Sequence, residues 1–376
     1  MNNHVGQCHH ALCITKNKEL IEIYLSVALR MLAFSFVGVF VPVYFIKELG
    51  FAVSKVMVFY LCWAIITILI IPLVAKLAAR FGFKKIMVAS APFAIAYLLL
   101  LNMMKDYNVH YIWVAFFSAL TMQLFWMGFH IDFSQCSDKK KRAEEVGWWY
   151  SILMAVGFVG PIVGAVIIKY IGFQMLFLVA TLIMLLSSVP VLFSKVDTKP
   201  KDFSITAIFR REYLKDFVVY TAYGTKELAS SFIWPLFIFL ILNDVVKLGA
   251  ISSAVSLASA ISLPLIGKIT DGHKRNSLLR NIGSLIDGIS WPLRILLNSF
   301  TSLMSVSLIS FLSFLLVDVQ TYKKFYDTKK NPIGYMVMRE TALATGRIIA
   351  LLAVMALGFY ASFWLIGLSN LAYLLF

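Results

Sequence analysis

Charged side chains set inside otherwise apolar stretches are where this sequence could do chemistry. Arg30, the adjacent Lys226 and Glu227, and Arg347 each stand well inside a long apolar run. Asp287, Trp291 and Arg294 follow at i, i+4 and i+7, which puts them on one helix face. Arg339 and Arg347 are eight apart and also share a face, with Glu340 beside the first. A charge at the centre of a membrane costs at least about 2.5–3.5 kcal/mol, so each of these should meet a partner, water or a ligand. Arg30 is a fixed cation suited to an anionic group, or to a carboxylate on a neighbouring span. Glu227 could carry a proton. It could equally form a structural ion pair with Lys226, whose long stem could also reach an interface. The Asp287–Trp291–Arg294 face reads first as a buried brace. Tyr60, Trp63, Gln123, Trp126, Tyr150, Tyr223 and Trp234 are uncharged candidates for a cavity wall or for packing. Ser252, Ser253, Ser256 and Ser259 make a hydroxyl-rich stretch that suits close helix packing or a wetted wall.

Enzyme chemistry finds little support. His130 and Asp132 stand alone, with no His/Asp/Cys cluster at catalytic spacing. No Gly-x-x-x-x-Gly-Lys-Ser/Thr occurs, so drive by ATP is not expected, and no cofactor is implied. His4, Cys8, His9, His10 and Cys13 are metal-ligand types, but their spacing matches no zinc module. A polar tail over 1–19 and no metal are the expectation. Four cysteines give no disulfide framework, and Cys62 reads as a small core residue.

The elements that must position these charges follow from composition. The chain is 60% hydrophobic and only 14% charged, with a mean hydropathy of +0.84. Soluble domains carry roughly 25% charged residues. Lipid must solvate such a surface, which leaves helices or a closed barrel. The apolar runs are continuous and about 20 residues long, the length of a spanning helix rather than of a barrel strand. Twelve such runs fall near 20–46, 54–78, 86–104, 110–132, 146–168, 173–194, 217–242, 248–270, 277–297, 300–321, 334–357 and 359–376. No cleavable signal peptide is visible, and almost no tail is expected after the last run.

The net charge of +15 is not a nucleic-acid patch, because the cations sit in short groups between apolar runs. Arg80, Lys84 and Lys85, then Lys139–Arg142, Lys195–Lys215, Lys274–Arg280 and Lys323–Lys330 fall on one side. The other side carries Lys47, Lys55, Lys105, Lys169 and Lys247. The richer side should face the cytoplasm, and an even number of spans puts both termini there.

The chain also repeats itself. Pro72-Leu73-Val74-Ala75-Lys76-Leu77 parallels Pro264-Leu265-Ile266-Gly267-Lys268-Ile269, and Pro42 with Tyr44 parallels Pro235 with Phe237. A weaker echo pairs Asp132 with Asp318. Two six-span halves, 20–194 and 217–376, joined by a polar linker over 195–216, imply a pseudo-two-fold axis along the membrane normal.

Two motifs carry a family resemblance. After the second span, Leu77, Ala78, Arg80, Gly82 and Lys84 fit the pattern Gly-x-Leu-Ala-Asp-Arg-x-Gly-Arg-Arg, with Ala75 and Ala79 departing from it. The second half supplies an acid at the equivalent place, Asp271. In the fifth span, Gly157, Gly160, Pro161 and Gly164 match a Gly-Pro-x-x-Gly motif, where glycines allow close approach and proline a bend. With the half-chain repeat, the sequence resembles the major facilitator superfamily from about residue 20 to 376. That resemblance implies an all-α, twelve-helix membrane protein of two pseudo-symmetric bundles, with spans 1, 4, 7 and 10 around a central cavity. Arg30, Gln123, Lys226, Glu227 and Arg347 become candidates for a site for a solute or a coupling ion. Arg80, Gly82, Lys84, Asp132, Asp271, Asp318, Arg339 and Glu340 become candidates for a cytoplasmic gate. The expected activity is secondary transport of a small solute by alternating access, with a proton as one coupling ion, by a monomer in the plasma membrane. The other reading is a transport-silent scaffold or receptor that keeps the fold.

Overall fold

The structure is a computed structural model that describes residues 18–137, 140–192, 211–272, 276–327 and 332–376. The side chains of 18–24, 132, 135, 136, 188–192, 276 and 332 lie outside the described set, as do the N-terminal histidines and cysteines and most of the 195–216 linker. Every described segment is helical or a short connection, as an apolar solvent requires. α1 runs over Lys18–Val37 and, through a 3-10 turn, on to Lys47. α2 (Val53–Phe81), α3 (Phe83–Tyr107), α4 (Tyr111–Cys136), α5 (Arg142–Tyr170) and α6 (Phe173–Leu192) complete the first half. α7 covers Leu214–Leu228 and, past a π turn, Trp234–Leu242. α8 (Val245–Gly272), α9 (Asn276–Leu293), α10 (Phe300–Asp327) and α11 (Pro332–Ser369) make the second.

Eleven continuous helical runs are present among the described residues, and the last of them breaks at Gly358, where the boundary between the eleventh and twelfth spans was expected. It consists of two helical arms, before and after Gly358, whose φ of 74° lies where only glycine is unstrained. Phe359, just past the bend, packs on Phe237 at 5.5 Å between ring centroids. Phe376 packs on Tyr220, far along α7, at 5.8 Å. The run returns without any intervening loop.

Nine of the helical stretches among the described residues are long and apolar enough to cross a membrane. Their outer faces expose Leu69, Leu73, Ile261 and Leu265. Arg30, Lys226, Asp287, Arg294, Arg339 and Arg347 are buried inside instead. This inverted distribution suits lipid as the solvent.

The halves repeat in packing as well as in sequence. α1 packs on α5, as α7 packs on the first arm of α11; α3 packs on α4, as α9 packs on α10; α2 packs on α4, as α8 packs on α10. Irregular turns repeat too. The 3-10 turn Gly38–Phe40 precedes Pro42, and the π turn Ala229–Ile233 precedes Pro235, each where proline removes a ladder donor.

The halves meet along two seams, α5 with α8 and α2 with the first arm of α11. Small residues build the first. A Cβ on Gly147 would stand 2.5 Å from the Leu263 carbonyl, one on Gly267 2.5 Å from that of Ala143, and one on Gly249 2.6 Å from that of Pro161. At Pro161 the Ser253 hydroxyl enters the α5 ladder. It accepts from the Ile162 N–H at 3.1 Å and donates to the Phe158 carbonyl at 2.7 Å. Gly160 and Gly164 face α1 instead, against Ser35 and Phe36, whereas Gly157 has open space and makes no close approach.

Candidate functional site

Neighbouring residues on a helix point about 100° apart, and α7 uses this at Lys226 and Glu227. Lys226 turns into the second bundle, where its Nζ lies 2.8 Å from Asp287 of α9. Ser310 of α10 donates to the same carboxylate oxygen at 2.5 Å and accepts from Arg294 Nη2 at 2.7 Å. The Arg294 guanidinium lies over Trp291 at 3.5 Å and Trp234 at 4.2 Å. Lys226 and Trp234 therefore belong to the brace read from Asp287, Trp291 and Arg294, and not to the wall between the halves. The expected Lys226–Glu227 pair does not form, because their directions diverge.

Glu227 turns towards the first half. Its carboxylate accepts from Arg347 of α11 at 2.6 and 3.1 Å. The Arg347 guanidinium lies 5.2 Å from the ring of Trp63 on α2. Trp63 and Tyr60 pack on Phe232 of the π turn, so this pair sits where the halves meet. The Glu227 side chain is 39% exposed against 8% for Arg347, so its carboxylate faces open space.

A second layer lies nearer the basic loops. Gln123 of α4 donates to Glu340 of α11 at 3.2 Å, which joins the two halves directly. Glu340 also accepts from Arg339 at 2.6 Å. Arg339 is enclosed by Phe325 and Tyr322 of α10, 4.8 and 5.3 Å from their ring centres. Asp318 accepts from Tyr223. His130 Nδ1 meets the Tyr326 hydroxyl at 2.6 Å, and its ring stacks on Trp126 at 5.3 Å. Tyr60 Oη, Trp63 Nε1, Gln123 Oε1 and Arg339 Nε are buried without a hydrogen-bond partner among the described residues. Together these groups form a buried polar cluster of both charge signs, drawn from both halves, and it is the candidate chamber.

Arg30 lies in the first half and has no carboxylate partner among the described residues, contrary to one reading of it. It donates to Thr121 Oγ1 at 2.5 Å and sits over Phe125 at 4.5 Å. Thr121 passes the bond on to the Ser90 carbonyl at 2.9 Å.

The expected gate partners are rearranged. Gly82 does make the tight turn, at φ 94° between α2 and α3. Arg80 is exposed beside it and lies over Phe81 rather than against an acid. Lys84 has no ion pair among the described residues, and the Asp132 side chain lies outside them. Asp318 and Arg339 do not reach that loop, because both are buried well inside their helices. Asp271 does bridge the halves. It accepts the Glu144 backbone N–H at the start of α5 at 2.8 Å and pairs with Lys323 at 2.6 Å. An acid at a helix N-terminus is worth about 0.3–1 kcal/mol and its N-cap hydrogen bond about 1 kcal/mol. Asp271→Asn is expected to raise amide hydrogen exchange over 142–147 by about tenfold, read by mass spectrometry in detergent. Unchanged exchange there would show that the clasp carries no load.

The sequence reading missed a second clasp. Arg142, counted only as a loop cation, is buried and donates to Asp327 at 2.7 Å and to the Tyr326 carbonyl at 2.7 Å. Its position at the first turn of α5 was the available signal. Tyr322 and Tyr326 were missed because nothing in an apolar run separates a chamber tyrosine from a packing one.

The sequence profile of the Major Facilitator Superfamily matches residues 23–322. Among solved structures, the human organic anion transporter MFSD10 (TETRAN) superposes with a TM-score of 0.70 at 10% identity, over 95% of this chain and 98% of that chain. At that identity the likeness is one of fold. A search of the curated proteins found no match.

Proposed function

The chain belongs to the major facilitator superfamily of membrane transporters, and from that premise we propose that it moves a small solute across a bilayer by alternating access. Two six-helix bundles, 20–194 and 217–376, rock about the α5–α8 and α2–α11 seams. The observation that supports this most is the buried polar cluster shared by the two halves. Gln123 reaches Glu340 and Arg347 reaches Trp63 across the line between the halves, so a rocking motion remakes these contacts. Buried charges in a membrane mark pathways or relays more often than packing. The basic loops face the cytoplasm, as do both termini, and the protein works as a monomer in the plasma membrane.

The solute is anionic or amphipathic. Arg30 without a carboxylate, and Arg339 and Arg347 sharing acids at the chamber, leave guanidinium donors able to grip an oxyanion. MFSD10 is described as an organic anion transporter, which is compatible with this choice but at 10% identity does not carry it. Glu227, the most open carboxylate of the set, is the candidate proton carrier.

Uptake by proteoliposomes of a panel of labelled organic anions and cations, with and without a pH gradient, tests the reading. At least one anion should accumulate above protein-free vesicles and exchange in counterflow. Saturable binding without flux for every solute would favour the transport-silent scaffold instead.

A further inference from the structure

Apart from the chamber, a cavity of about 230 Å³ opens at the basic end of the second bundle. Thr270, Arg280, Gln320, Lys323, Lys324 and Asp327 line it. Three of its charged walls are committed elsewhere. Lys323 pairs with Asp271 at 2.6 Å, Lys324 with Asp216 at 2.9 Å, and Asp327 with Arg142 at 2.7 Å. Arg280 differs. It is 9% exposed, and among the described residues its Nη2 reaches only the Asn281 amide oxygen at 3.2 Å and its Nε has no partner. Gln320 is also 9% exposed, and its Nε2 has no partner. A buried cation that pairs with no carboxylate among the described residues, beside an unpaired amide donor, is an unfavourable arrangement for an empty wall. Both groups are donors, so what completes them is an acceptor carrying negative charge.

We propose that this cavity binds a phosphate-bearing anion at the membrane surface. The guanidinium of Arg280 offers Nε and Nη donors in the fork geometry that matches two phosphate oxygens. The Gln320 amide donates to a further oxygen. Lys323 and Lys324 add attraction without giving up their carboxylates. A phospholipid headgroup and a free phosphate present the same chemistry here. The headgroup has one structural argument in its favour: Leu278 and Ile282, on the same α9 as Arg280, are exposed on its outer face, where acyl chains would lie. Basic pockets between helices on the cytoplasmic side suit such headgroups.

Thermal unfolding of the delipidated protein in a neutral detergent tests this. The probes are dioctanoyl phosphatidic acid, dioctanoyl glycerol as its phosphate-free counterpart, inorganic phosphate, and sodium chloride at matched ionic strength. Phosphatidic acid, inorganic phosphate or both should raise the melting temperature saturably, with no response to dioctanoyl glycerol and none beyond screening to chloride. A response to the lipid alone assigns the site to a headgroup, and one to inorganic phosphate assigns it to free phosphate. Arg280→Gln should raise the half-saturating concentration about tenfold, yet leave the ligand-free melting temperature unchanged or higher, because the residue removed is an uncompensated cation. Gln320→Leu should weaken binding severalfold and carries the test if the arginine variant does not fold. The proposal is overturned if neither phosphate probe shifts unfolding, if chloride does as much, or if the variants respond like the parent.

Discussion

Asp287→Asn should be the most destabilising single substitution in this protein, at about 3–5 kcal/mol for an uncompensated buried charge. Lys226 and Arg294 converge on this one carboxylate, directly at 2.8 Å and through Ser310. All three residues are buried, with Asp287 fully enclosed. Asparagine keeps the shape and can still accept from Ser310, so the change isolates charge from packing. Two cations then remain without the carboxylate that faces them, where solvent cannot screen them. Lys226→Met should cost less, because Arg294 still faces the aspartate. The double variant Lys226→Met/Asp287→Asn should recover part of the loss, since one cation has gone with the anion. Unfolding of membrane proteins is often irreversible, so the order of apparent melting temperatures in one detergent is the measure. The expected order is parent, Lys226→Met, double variant, Asp287→Asn. If Asp287→Asn melted with the parent, the triad would be solvated and not a brace.

That brace also shows how far the sequence could be read. The i, i+4, i+7 spacing placed Asp287, Trp291 and Arg294 on one face, which is a property of one helix and so legible. The partner of that face was not legible. Lys226 and Glu227 are adjacent in sequence, and only the packing of α7 decides that one meets α9 and the other meets α11. The fold was legible because long apolar runs have one solution in lipid, and because Pro42 and Pro235 repeat before they are seen to follow matching irregular turns. The boundary between the last two apolar runs falls at Gly358, where a single glycine replaces a loop. The pairing of the gate candidates was not legible for a similar reason. Arg80 and Asp318 are the right types, but the axial depth of Asp318 inside α10 separates them. Asp271 and Arg142, at helix ends, are where the two halves are clasped.

Glu227→Gln should separate the two roles proposed for the chamber. It keeps the size of the side chain and its ability to accept from Arg347, and removes the charge. Because the carboxylate is 39% exposed, the cost to stability should be no more than about 1 kcal/mol, the scale of screened ion pairs. The effect on function should be larger. A hydrogen bond to a charged group is worth about 1.5–3 kcal/mol, or about 10- to 100-fold in rate if it is made only as the chamber changes state. Uptake driven by a pH gradient should therefore fall by that factor, whereas downhill exchange of the same solute should persist, since exchange needs no net proton movement. Arg347→Gln should lose both activities, because the guanidinium that steadies Glu227 is also the donor nearest Trp63 and the first half. The pair of variants thus distinguishes a proton carrier from a solute ligand. Proton-driven uptake that survives in Glu227→Gln would take this carboxylate out of the coupling. Exchange that survives in Arg347→Gln would move the solute's anionic group towards Arg339, the chamber's other guanidinium, whose Nε lacks a partner.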